Sequence, residues 1–199
     1  MILNVEFCPP VEYFTLIAEA AAGGERVVLD AAENYHKQTY RNRCRILSAN
    51  GILDLRFPIV HDGSKAIGDV RVDYSTPWVP KFKVAVESAY SSAPYYIYYK
   101  DEFFAILDSR PETLLDLDMA LMGFFCRKTG LPCPELSSTA GQTGADFRDA
   151  VHPKKPPVFR TREYWQVFRE RFGFVSGLSV MDLLFNEGPE SLDFMRRTL

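Results

Sequence analysis

No two of the four cysteines, Cys8, Cys44, Cys126 and Cys133, stand at CxxC spacing, and none joins a Cys/His cluster at zinc spacing. Neither a dithiol redox motif nor a structural zinc site is therefore expected. Histidine is scarce too: His36, His61 and His152 are the whole set, and none sits in a pattern that implies a metal. A glycine-rich phosphate loop is missing, so the chain is not expected to activate a substrate with ATP, and no cofactor is expected. No apolar run approaches a membrane span, and the N-terminus lacks the basic-then-apolar layout of a signal peptide, so a cytoplasmic location is expected. An excess of one charge is also absent. Lys and Arg number 23 against 26 Asp and Glu, a net charge of −3, too balanced for a protein that coats nucleic acid. Any positive site must be local.

What is present is an ordinary globular composition, 47% hydrophobic and 25% charged, in a chain long enough for one good core. The 199 residues are read as a single domain with an α+β fold. Residues 1–77 form a small mixed or antiparallel sheet with one helix, and residues 78–199 are mostly helical. "MILNVEFCPP" is a short strand stopped by prolines, "VEYFTLIAEAAAGG" a helix, and "RVVLD" a second strand. "RCRILSA" and "ILDLRFPIV" alternate on either side of Asn50-Gly51, a strong hairpin signal. "VRVDY" is a candidate further strand. Helices are expected over "WVPKFKVAVESAY", "APYYIYYKDEFFAILD" and "PETLLDLDMALMGFFCRKTG", the last with apolar residues at helical spacing and Gly130 at its end. A loop without sustained period covers residues 131–162, long enough to suggest a functional role. Short helices over "EYWQVFRERFG", "SVMDLLFNEG" and "PESLDFMRR" close the chain.

Two segments carry candidate chemistry. The first is "ENYHKQTYRNRCRIL", residues 33–47. On a strand, Arg41, Arg43 and Arg45 point to one face, and with Lys37 they suit a phosphate or carboxylate held bidentately. The plain alternative is an exposed strand face whose arginines pair with acidic neighbours. The second is "DFRDAVHPKKPP", residues 146–157. Asp149 and His152, three apart, suit a carboxylate orienting a histidine general base, with Lys154 and Lys155 adjacent. The alternative is a polar loop whose Asp caps a turn. Tyr95 and Tyr96, within a tyrosine series, suit stacking on a ring or packing in the core. Cys8, before a helix, reads as a small buried hydrophobe rather than a nucleophile, and Asp182, three residues after Ser179, as part of a helix cap.

Taken together, "PPVEYF", "NYHKQTYRNRCRI", "ESAYSSAPYYIYYKDEF", "DFRDAVHPKK" and "YWQVFRERFGFVSGLSVMDLLFNEGPES" resemble the WbqC-like family nearly end to end. Those bacterial proteins are often encoded in O-antigen and other surface-polysaccharide clusters. The resemblance implies transfer of glycine or a similar acyl group to the amino group of an amino sugar. It carries over onto Lys37, Arg41, Asn42, Arg43, Asp146, Arg148, Asp149, His152 and Lys154. Two departures stand out: Cys8 where relatives commonly have an aromatic, and "PKFK" where many have a His-Trp pair.

The expectation is an acyl or glycyl transferase. Lys37, Arg41, Asn42, Arg43, Arg148 and Lys154 bind a nucleotide sugar or an activated acyl donor, Tyr95 or Tyr96 stacks on a ring, and His152, oriented by Asp149, is the base. The alternative is a non-catalytic binder of the same pathway. Neither nucleic acid nor a membrane is an expected partner, and the oligomeric state is open.

Overall fold

Apolar Ile2–Leu3 and Val28–Asp30 form two short strands, β1 and β2, on either side of helix α1, Val11–Ala22. They appear so in a computed structural model that describes residues 1–139 and 144–196. The strands pair in parallel, Ile2 opposite Val28, with α1 as the crossover such pairing requires. Pro10 occupies the N-cap of α1, and beyond its last turn Gly24 takes φ +70°, a conformation glycine adopts without strain.

The segment read as an irregular loop over residues 131–162 contains a strand. β5, Glu135–Ser137, pairs in parallel with β2, its backbone joined through Glu135 N–H to the Val27 carbonyl and Ala31 N–H to the Ser137 carbonyl. Periodicity missed it because three residues at a sheet edge owe their conformation to backbone pairing rather than to an apolar pattern. Farther along, the chain returns to the opposite edge: Ile2 donates to the Ala145 carbonyl and Phe147 to the Ile2 carbonyl. Residues 140–143 of the expected loop lie outside the described residues.

The hairpin is a separate antiparallel sheet of β3, Arg43–Ser48, and β4, Gly51–Arg56. Its turn sits one residue earlier than the Asn-Gly signal suggests. Ser48 pairs with Gly51, leaving Ala49 and Asn50 as the loop, and Gly51 carries the positive φ of +101°, as in a turn closed by a glycine bulge. "VRVDY" makes isolated bridges, Val72 with Ile59 and Arg71 with Thr113, and no strand.

Three long helices follow: α2, Trp78–Tyr90; α3, Tyr96–Asp108; and α4, Leu114–Thr129. Thr113 caps α4 by accepting from Asp116 N–H, and Gly130 ends it in a left-handed conformation. Leu114, Leu117, Leu121, Phe124 and Phe125 are sealed in the core, each such side chain contributing roughly 1.5–3 kcal/mol. The aromatic series Phe7, Phe57, Trp78, Phe82, Phe103 and Phe185 ties the hairpin to these helices.

α5 is a single turn, Arg169–Phe172, where the sequence suggests a helix from Glu163. The preceding residues are held otherwise: Gln166 exchanges two hydrogen bonds with the Val175 backbone, and Trp165 N–H donates to Glu187. α6, Val180–Glu187, and α7, Ser191–Met195, complete the chain. No helix among the described residues is long and apolar enough to cross a membrane.

Candidate functional site

Parallel strands bring the ends of β1 and β2 side by side, and open parallel sheets bind ligands at that end. β2 finishes on Asp30, and the chain then runs through Glu33 and His36 to a one-turn 3-10 helix, Tyr40–Asn42. The returning segment beside β1 delivers Asp146, Arg148 and Asp149 to the same place. A cleft of about 420 Å³ results, with Asp30, Glu33, Arg41, Asp146, Arg148 and Asp149 among its lining.

Arg41 lies on that 3-10 turn, not on β3, so it does not share a strand face with Arg43 and Arg45. Placed before the strand begins, its side chain runs inward and is 1% exposed. It pairs with Glu33 and, at 3.5 Å, with Asp149. Arg148 is held as firmly. It grips Asp146 with Nε and Nη2, at 3.0 and 2.7 Å, and reaches Asp30 with Nη1 at 2.6 Å. The Arg148 guanidinium draws the Asp146 carboxyl down to about 2. Both guanidinium groups are therefore occupied by protein carboxylates, and the lining keeps four carboxylates against two guanidinium groups. The cleft has an excess of negative charge.

The two segments singled out in the sequence do meet. Arg41 pairs with Asp149, and Lys154 Nζ donates to the side-chain carbonyl of Gln38. Gln38 and Asp149 are two of the few non-glycine residues at positive φ, +65° and +56°. At Asp149 that conformation, unfavourable for a residue with a Cβ, is fixed from three sides. Its N–H donates to Asn4 Oδ1 at 3.0 Å, its carbonyl accepts from Lys155 Nζ at 2.7 Å, and its carboxylate meets Arg41.

His152 is half-buried beside the cleft rather than in its lining. Burial, with the charges of Lys155, Lys154 and Arg41, depresses its pKa against the opposing pull of Asp149. The imidazole is thus neutral near pH 7. Its Nδ1 accepts from the Lys154 N–H at 3.1 Å, which leaves the ring proton on Nε2. Asp149 spends its carboxylate on Arg41 and, among the described residues, acts on His152 through its charge alone.

The remaining expected residues lie as follows. Lys37 is exposed and Arg43 half-buried, neither in the cleft lining. Asn42 donates to the Phe57 carbonyl, closing the base of the hairpin. Arg45 pairs across the strands with Asp54 at 3.0 Å, the plain alternative for that face. Tyr96 is 3% exposed and edge-packed on Phe185, so the ring-stacking role expected of it is corrected: the side chain is core. Tyr95 rests on Gly188, where an added Cβ would come within 2.4 Å of its ring. Cys8 is sealed in the core, and burial raises its thiol far from reactivity.

Sequence reasoning missed the acids beneath the cleft. Glu6 and Asp118 are each 1% exposed. Glu6 takes one hydrogen bond, from Asn4, while its Oε2, both oxygens of Asp118 and Nε of Arg41 are buried without a partner among the described residues. Burial raises both carboxyls; Glu33 raises each further and Arg41 opposes. Glu33 is raised by burial too, partly offset by Arg41. A signal for Asp118 existed: it interrupts the apolar stripe of α4 midway between Leu114 and Leu121. Clustered perturbed carboxyls beside a cleft are a mark of functional sites.

The model of the WbqC-like protein family matches residues 5–151. This chain belongs to the WbqC-like family. The match takes in the 3-10 turn, the hairpin, α4 and the returning segment through Asp149. Uncharacterized protein Rv1507c of Mycobacterium tuberculosis is 24% identical over 227 aligned positions, covering 98% of this chain and 96% of that protein. No solved structure matches.

Proposed function

We propose that this WbqC-like protein acts in bacterial surface-polysaccharide (O-antigen) biosynthesis, transferring an acyl or glycyl group to the amino group of an amino sugar or its nucleotide conjugate. The observation that carries this reading is the charge of the cleft. An amino sugar is an ammonium ion in solution, and a lining of four carboxylates against two guanidinium groups already paired with them suits a cation. It does not suit a phosphate. Of the lysine and arginines of the basic block only Arg41 lines the cleft, and Asp146 and Asp149, half exposed beside their guanidinium partners, meet the substrate.

In this reading the docked ammonium first loses a proton. The free amine then attacks the carbonyl carbon of an activated acyl donor, a C–N bond forms, and the donor's leaving group departs with the electron pair of the broken bond and takes up the second proton that the nitrogen sheds as the amide forms. His152, neutral near pH 7, takes the proton at Nδ1 once that atom releases the Lys154 N–H. Asp149 stabilises the resulting imidazolium by its charge. Holding the amine in place supplies the orientation the reaction needs.

Calorimetry with UDP-glucosamine and UDP-N-acetylglucosamine tests the reading. The free amine is expected to bind about tenfold more tightly, and Asp146→Asn with Asp149→Asn to erase the preference. Equal affinity for the two sugars would sink it. His152→Ala is expected to abolish turnover and spare binding; amine preference without any turnover, unchanged by His152→Ala, favours the alternative of a non-catalytic binder.

A further inference from the structure

A second cavity, of about 600 Å³, opens where residues 158–163 pass between α1 and α7. Its character is the reverse of the acidic cleft. Arg160, Arg162 and Arg196 face it against one acid, Glu163, which is paired with Arg169 at 3.2 Å. Arg196 has a loose partner in Asp193 at 3.7 Å. Arg160 and Arg162, by contrast, have no carboxylate partner among the described residues. Arg162 instead lies over the Phe194 ring, 5.0 Å from its centroid, with Nη1 directed to the Asp193 carbonyl. A guanidinium stacked on an aromatic ring keeps its outer face and most of its donors for a ligand.

The wall is built in advance of any ligand. Pro156 and Pro157 restrict the chain as it enters, Val158 N–H is tied to Glu12 Oε2 at 2.9 Å, and Met195 and Thr15 close the floor from buried positions. Rigidity of this kind removes ordering costs that binding would otherwise incur. The volume falls within the range of roughly 300–1,000 Å³ typical of small-molecule sites.

We infer that this cavity is a second ligand site, for an organic phosphate whose anionic group is held by Arg160 and Arg162 and whose planar part lies on the Arg162–Phe194 stack. A nucleotide has this chemistry. The inference is independent of the amine reading, because it uses other residues and the opposite charge. One segment nonetheless borders both places: Asp149 stands in the acidic cleft, and Arg160 and Arg162 in the basic cavity.

Calorimetry on the full chain with ADP, adenosine and inorganic phosphate tests the assignment. ADP is expected to bind, with adenosine and inorganic phosphate each at least about tenfold weaker, since each keeps half of the recognition. Arg160→Gln with Arg162→Gln should weaken ADP by at least about tenfold. Arg162→Lys, which keeps the charge and loses the flat stack, should weaken ADP and leave inorganic phosphate unchanged. Circular dichroism melts of each variant confirm that the fold is retained. Absence of ADP binding overturns the inference. So does ADP binding that Asp146→Asn abolishes and the double glutamine variant does not, since the phosphates would then lie in the acidic cleft.

Discussion

Asp118 and Asp182 are both helical aspartates sealed from solvent, each 1% exposed, and their surroundings are opposites. Asp182, on α6, has a nest built for it. Its Oδ2 accepts from the Tyr164 hydroxyl at 2.7 Å and from Gln166 Nε2 at 3.0 Å, and its own carbonyl is bonded by Asn186 at 2.7 Å. Burial raises the carboxyl, donors led by Tyr164 pull it back, and it comes to about 6. Asp118, on α4, has neither oxygen bonded among the described residues and shares its pocket of low dielectric with Glu6, Glu33 and the single guanidinium of Arg41. The first arrangement joins two segments of the C-terminal half, residues 164–166 and α6, and accounts for itself as structure. The second lies under the cleft and costs stability without visible return in the fold, as functional sites commonly do.

The contrast can be broken most severely at Arg41. Arg41→Met removes the one positive charge among three buried acids, and about 3–5 kcal/mol of stability should go with it. Urea unfolding reads this as a lower midpoint at unchanged slope. A smaller loss, about 2 kcal/mol, is expected of Tyr164→Phe, which takes one donor from a buried carboxylate; an unaltered midpoint would show that Asp182 does not need its nest.

Asp118→Asn should do the reverse of both and stabilise. Because folding raises this carboxyl above its ordinary value of 3.8, the native state binds the proton more tightly. The wild-type chain therefore loses stability as pH rises from near 3.8 through the raised pKa, whereas asparagine does not titrate. The gain should be about 1 kcal/mol at about pH 8 and shrink towards about pH 4. Denaturation midpoints measured side by side at the two pH values decide it, and a variant less stable at the higher pH would mean that Asp118 is paired after all.

Legibility followed the range of the interactions. The hairpin, α1 and α4 were readable because turn residues, prolines and apolar periods act over a few neighbours. The α+β class followed from their order. β5 was hidden because an edge strand of three residues draws its conformation from the backbone of β2, more than a hundred residues earlier. Arg41 misled for a related reason. Alternation suggests that it joins Arg43 and Arg45, yet the chain turns at Tyr40–Asn42 before the strand begins and sends that one side chain inward to Glu33.

By itself, then, the sequence determined two polar segments that the fold brings together: the block from Glu33 to Arg45 and the stretch from Asp146 to Lys155. Residue type and local spacing suffice for that. Only the tertiary structure decided how those residues are combined. The parallel pairing of β1 and β2 gathers Asp30, Glu33, Asp146 and Asp149 around Arg41 and Arg148, and the sign of the resulting field is a sum over side chains brought together from distant parts of the chain. Counted along the chain, the first block is basic. Counted in space, the cleft that it helps to form is acidic.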